Sequence, residues 1–163
     1  MRILGIDPGI GRKGWGVIES LKSNVKIQNC GCIETSSKKV VQDRLKEIHE
    51  QVLKLIQKYK PDVLAIEELF FNTNAKTAFV VGQARGAIIL AGSKNNLACF
   101  SYTPLQVKIA VSGYGRAEKS QVGQMVKIIL ALKEIPKPDD TTDALAVAIT
   151  HAFSGKMVGL QNK

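Results

Sequence analysis

The chain has 163 residues, 45% hydrophobic and 23% charged, which suits one globular domain burying about two-thirds of its unfolded surface without disulfide or metal staples. No stretch approaches the roughly 18 uninterrupted apolar residues of a membrane span, and Asp7, Pro8, Gly9 and Arg12 interrupt the N-terminus before an export signal's apolar core could form, so a cytoplasmic location is expected. Lys and Arg number 23 against 14 Asp and Glu, a net charge of +9; this is the footprint of a polyanion binder, and without a basic amphipathic helix backed by Trp or Phe, a membrane is the least suited polyanion.

Arg2 to Asp7 reads as a short buried strand that Pro8-Gly9 turns out of the sheet. A second strand is expected over residues 14–19. A third spans 25–34, where the alternation Val25, Ile27 slips phase to Cys30, Cys32, as at a bulge. Short turns between the three imply an antiparallel meander. The spacing of Cys30 and Cys32 within a strand suits neither a disulfide nor a zinc site, so these and Cys99 are expected to be buried thiols.

Val41, Leu45, Ile48, Val52, Leu55 and Tyr59 recur at helical spacing between polar residues, predicting an amphipathic helix over 40–59 that Pro61 ends. The unalternated run Val63-Leu64-Ala65-Ile66 is then a parallel strand covered on both faces, with Glu67 at its C-terminal end. Residues 74–94 form a second helix, apolar on more than one face, which therefore packs on two sides or against another chain. A fifth strand follows over 97–102. Helices are expected over 104–111, 118–132 and 140–153, and a loose tail from Ser154 to Lys163. The order of elements describes a mixed α/β sheet in a single domain, residues 1–153.

Asp7 and Glu67 each end a buried apolar strand. If those strands lie parallel and adjacent, both carboxylates emerge at one sheet edge, where ligand sites form in such sheets. Asp140 and Asp143, three residues apart at a helix start, share a face. Each also has a purely structural reading: Asp139 or Asp140 as an N-cap, Asp7 as a turn former. Glu67 is harder to place that way, because a charge at the end of a buried strand needs a partner or a cation.

Four converging carboxylates would repel one another and raise their own pKa values unless cations lay between them. Hard oxygen ligands with no His or Cys nearby select magnesium or manganese over zinc. Two such ions about 4 Å apart can hold the attacking water and the leaving oxygen of a phosphodiester cleavage. His49 in mid-helix, and His151 about 12 Å beyond Asp143 along a helix, are read as structural.

Gly5-Ile6-Asp7-Pro8-Gly9, Ala65-Ile66-Glu67, Gly82-Gln83-Ala84-Arg85-Gly86, Ala117-Glu118-Lys119-Ser120-Gln121-Val122 and Asp143-Ala144-Leu145-Ala146 together resemble, in order and spacing, the RuvC family of Holliday junction resolvases. The resemblance runs from residue 3 to about 151 and implies a ribonuclease H-like fold, a five-stranded mixed sheet flanked by helices. It implies a homodimeric endonuclease that resolves four-way DNA junctions by paired symmetric nicks in recombination and repair, with branch-migration motor proteins as partners. The catalytic and metal-binding carboxylates it implies are Asp7, Glu67, Asp140 and Asp143, holding two Mg2+ per subunit with Mn2+ as a substitute. It further implies that Phe70 stacks on a base at the junction centre, that Lys108 and Lys119 contact phosphates, and that helix 74–94 forms the dimer interface. For Phe70 the structural alternative is core packing; for each lysine it is a solvated charge. Thr141-Thr142 between the aspartates, the extra Asp139 and the doubled Glu67-Glu68 leave each acidic assignment open by one residue.

Three other readings fit parts of the pattern: an actin-like kinase or ATPase, which also opens Gly-Ile-Asp-x-Gly but has a second lobe and phosphate loop absent from this sequence; a nuclease acting on RNA or RNA–DNA hybrid; and a junction-binding scaffold without cleavage.

Overall fold

β1 (Arg2–Ile6), β2 (Arg12–Ser20) and β3 (Val25–Glu34) form the antiparallel meander, and β4 (Val63–Glu67) and β5 (Ala98–Tyr102) complete one sheet of order β3-β2-β1-β4-β5. The structure, a computed structural model, describes residues 1–22, 24–68 and 75–161, and the side chains of these except 75–76 and 155–161. β4 runs parallel to both β1 and β5. The phase slip in β3 is a bulge: Val17 faces Asn29 and Ile18 faces Ile27, leaving Gln28 without an opposite residue.

Helices cover both faces, which is why β1 and β4 are apolar without alternation. On one face Leu4, Ile6, Val17, Ile33, Leu64 and Ile66 meet α1 (Val41–Tyr59) and α2 (Ala75–Lys94). Ile48, Val52 and Ile56 are the buried stripe of α1, each contributing roughly 1.5–3 kcal/mol by leaving water. The helix ends as the Pro61 signal requires, with Lys60 in the left-handed region at φ 46° and its N–H donating to Ile56 O.

On the other face α3 (Pro104–Ser112), α4 (Lys119–Ile129) and α5 (Asp139–Gln161) pack over Ile3, Ile18, Val25, Val63 and Ala65. The small residues of α5, Ala144, Ala146, Ala148 and Ala152, let that helix lie close on the strands. Gly5 and Gly14 make room for it: a Cβ on Gly5 would stand 2.3 Å from Ala144 O, and one on Gly14 1.6 Å from Asp140 O.

Three expectations need correction. The last helix does not stop at 153 but continues to Gln161; Gly155 costs only about 1 kcal/mol, too little to stop an established helix. β2 begins at Arg12, because its two extra residues pair with Ile33 and Glu34 of the longer β3. The three cysteines are free thiols but half-buried rather than buried.

Candidate active site

The parallel register of β1 and β4 pairs Ile6 with Ile66, so the next residue of each strand, Asp7 and Glu67, stands in the same row at the C-terminal edge of the sheet. The two side chains are hydrogen-bonded to each other. Asp7 is anchored by its backbone, its N–H donating to Gly14 O at 3.1 Å across the mouth of the β1–β2 turn.

The close approach of α5 at Gly5 and Gly14 brings Asp140 and Asp143 to this edge. Burial together with Glu67, Asp143 and Asp140 pushes the Asp7 carboxyl up to about 7, with Lys119 opposing. Burial raises Glu67 as well, and Asp143 adds to it, while the bond from Asp7 pulls the other way. Asp143 is raised mainly by burial against the lowering effect of Lys119, whose Nζ lies 2.9 Å from it.

Lys119 is the first residue of α4, set by a capping box in which the Glu118 side chain takes the Gln121 N–H and the Gln121 side chain takes the Glu118 N–H. Its Nζ also lies 3.8 Å from Asp139. Asp140 has its own cation, Arg12, at 3.9 Å. Among the described residues no three acidic, His or Cys side chains stand in coordination geometry as they are: Lys119 holds Asp143, and Asp7 and Glu67 hold each other. Within the acidic pairs, Glu67 rather than the exposed Glu68 faces Asp7, and Asp139 is largely solvated, its side chain 76% exposed. Asp140 and Asp143, at 32% and 29%, are the inward pair.

Lys108 is half-buried on α3 and, among the described residues, makes no ion pair. Phe70 lies outside the described residues. His49 Nδ1 donates to Ala87 O at 3.1 Å, joining α1 to α2, and His151 is buried with its Nδ1 2.7 Å from the Tyr102 hydroxyl; neither is among the groups that act on Asp7.

Five residues of this region were given no role in the reading from sequence. Lys13 is fully buried, its Nζ donating to Ile10 O at 3.2 Å in the turn after Asp7, and burial with Arg44 nearby lowers its pKa to about 8. Thr35 Oγ1 donates to the same carbonyl, and Arg44 Nε donates to Thr35 Oγ1 at 3.1 Å. The signal for Lys13 was present, since strand alternation puts it on the face of Trp15 and Val17. Arg12 and Arg85 had no such signal.

Residues 3–151 match the family model described as crossover junction endodeoxyribonuclease RuvC. The crossover junction endodeoxyribonuclease RuvC of Alkaliphilus metalliredigens is 54% identical over 160 residues, 98% of each chain. The structure of Thermus thermophilus RuvC in complex with Holliday junction substrate superposes with a TM-score of 0.93 at 38% identity, covering 97% of this chain and 96% of that one. The yeast mitochondrial Holliday junction resolvase, at 15% identity and a TM-score of 0.72 over 98% of this chain and 81% of its own, shares the fold.

Proposed function

Because the chain belongs to the RuvC family of crossover junction endodeoxyribonucleases, we propose that it resolves four-way DNA junctions by paired phosphodiester hydrolysis at the Asp7–Glu67 edge, with Mg2+ as cofactor. The observation that carries the assignment of the site is the Ile6–Ile66 register, which stands Asp7 and Glu67 side by side at the sheet edge that α5 reaches with Asp140 and Asp143; burial among these carboxylates pushes the Asp7 carboxyl up to about 7. Such a group is poised to exchange its proton for a divalent cation, and the surrounding oxygen donors, without His or Cys, suit Mg2+ or Mn2+.

Asp7, Glu67, Asp140 and Asp143 would hold the ions. When bound, the cations supply Lewis acidity and a nucleophile at neutral pH. The chain's own residues do the rest. The Asp7–Gly14 backbone bond and the clamp of Lys13 and Thr35 on Ile10 O fix the turn that carries Asp7. Lys119, neutralising Asp143 and Asp139, would be released toward substrate phosphate as cations take over that role. Lys108 and Phe70 are assigned to junction contacts, the lysine to phosphate and the aromatic to a base at the crossover.

Two symmetric nicks call for two sites, and a two-fold dimer supplies them on opposed strands. Phe79 and Leu90 of α2, 69% and 54% exposed in the single chain, support α2 as the face that pairs. Branch-migration motor proteins are the partners expected of the assembled enzyme, and no helix among the described residues is long and apolar enough to cross a membrane.

A synthetic four-way junction with Mg2+ tests the reading. Paired incision is expected, and Asp7→Asn should abolish cleavage by more than about 100-fold while sparing junction binding, because it removes a ligand and a charge near phosphate. Binding without incision by the unaltered protein would leave a scaffold, and full cleavage by Asp7→Asn would remove the carboxylate assignment.

A further inference from the structure

α2 carries a single charged residue in its interior. From Thr77 to Ser93 every residue is uncharged except Arg85, beside the buried face made by Ala84, Ile88 and Ala91. Ordering a guanidinium at the edge of an apolar face costs side-chain entropy and part of its hydration, so what it bonds to matters. Among the described residues Arg85 makes no ion pair. Instead its Nε donates to the backbone carbonyl of Glu67 at 3.3 Å and its Nη2 to Ser101 Oγ of β5 at 2.5 Å.

The carbonyl it chooses is the last of β4. Pairing with β1 ends at Ile6 and Ile66, one residue short of Glu67, and beyond Glu67 the Glu68 N–H donates to Tyr102 O at 2.8 Å. The Glu67 carbonyl and the Glu68 N–H belong to one rigid peptide unit. That unit is therefore held at both of its polar groups, by Arg85 and by β5. Fixing it fixes ψ of Glu67, and so the direction in which the Glu67 side chain leaves the backbone toward Asp7.

We propose that Arg85 is a positioning residue for Glu67: by bridging the Glu67 carbonyl and Ser101 it sets the carboxylate at the angle from which it meets Asp7 and a divalent cation. The inference rests on the reading of Asp7 and Glu67 as cation ligands, and it gives the helix that reaches the sheet edge a direct bond to the site. It acts through geometry rather than charge. A lysine, a single point donor, cannot span the carbonyl and the hydroxyl as the planar guanidinium does.

The test titrates Mn2+ calorimetrically into the full-length protein and into Arg85→Ala, Arg85→Lys and Ser101→Ala, alongside junction cleavage and junction affinity measured without divalent ion. Arg85→Ala should weaken Mn2+ binding roughly 10-fold or more, as expected for a residue that orients a ligand, and slow cleavage while leaving metal-free junction affinity unchanged. Arg85→Lys should fail likewise, and Ser101→Ala, which keeps the fold's charges intact, should shift Mn2+ binding in the same direction by a smaller factor. Unchanged Mn2+ affinity in Arg85→Ala and Ser101→Ala overturns the proposal, as does full recovery in Arg85→Lys, which would make charge sufficient. A loss of metal-free junction affinity in Arg85→Ala, with its Mn2+ affinity intact, would place Arg85 on the DNA instead. If the unaltered protein takes up no Mn2+, the cation reading itself fails, an outcome separate from any of these.

Discussion

Lys119 Nζ and Asp143 stand 2.9 Å apart, so the residue that resembles a phosphate contact is, in the free protein, the counter-ion of the acidic cluster. One ammonium cannot serve the carboxylate and a phosphate equally, and its place is decided by what else brings positive charge. Lys119→Ala is expected to reduce the salt-dependence slope of junction binding by about one and to weaken binding measurably at low salt. Binding titrations between 50 and 200 mM salt (roughly the range over which such slopes are read) check this. An unchanged slope would confine Lys119 to Asp143.

The Asp7 carboxyl links stability to pH. Its folded value of about 7 lies above the ordinary aspartate value of 3.8, so between these the folded state holds a proton the unfolded chain has released. Stability therefore falls as pH rises from about 4 to 7 and stays low above, by roughly 4 kcal/mol from this group. Glu67 and Asp143, also raised, act in the same direction. Metal-free protein should melt at a lower temperature at pH 8 than at pH 6, Mg2+ should restore the difference, and Asp7→Asn should flatten it. A melting temperature that ignores both pH and Mg2+ would remove the linkage.

Lys13 has the opposite sign of shift. Its pKa is lowered to about 8 from 10.5, so the charged form is disfavoured in the fold at every pH below 8, and that cost is relieved only as pH climbs from 8 to 10.5. Lys13→Met, of similar length and apolar, is expected to stabilise the protein by about 1–3 kcal/mol at pH 7, less what the lost bond to Ile10 O contributes. The gain should shrink toward pH 10 in denaturant titrations. Destabilisation at pH 7 would show that the clamp on the turn outweighs the buried charge.

Gly14 is required by contact, not by backbone angle. A Cβ there would lie 1.6 Å from Asp140 O, against backbone that no rotamer change can move. Gly14→Ala should cost more than about 3 kcal/mol, as overpacking against fixed backbone does at its upper end. It should also displace Asp140, so cleavage should fall further than folded population alone accounts for. Wild-type cleavage per folded molecule would separate the helix start from the site.

Most elements were legible because they are local. Helix α1 is written in its apolar spacing and closed by Pro61; the buried strands β1 and β4 are written in unalternated runs; the bulge in β3 shows in the phase slip between Ile27 and Cys30. The carboxylates were legible as strand-end and helix-start residues, and the motifs around them carried the family resemblance. What blurred was the end of α5, since a Ser-Gly pair reads as a stop while a helix already formed passes through it.

Other features depend on which segments meet. That Asp7 and Glu67 share one edge and a hydrogen bond, that Lys119 neutralises Asp143, that Lys13 is buried under the turn and that Arg85 grips the Glu67 carbonyl are relations between residues far apart in the chain, several of them bonds to backbone atoms that no side-chain pattern records. The sequence by itself determined the elements, their order and the kinds of groups at their ends, because those follow from periodicity and turn chemistry over a few residues. The tertiary structure alone decided which charges share a pocket and at what distance, because pKa, pairing and orientation arise from burial and proximity, which exist only once the sheet and α5 have closed on each other.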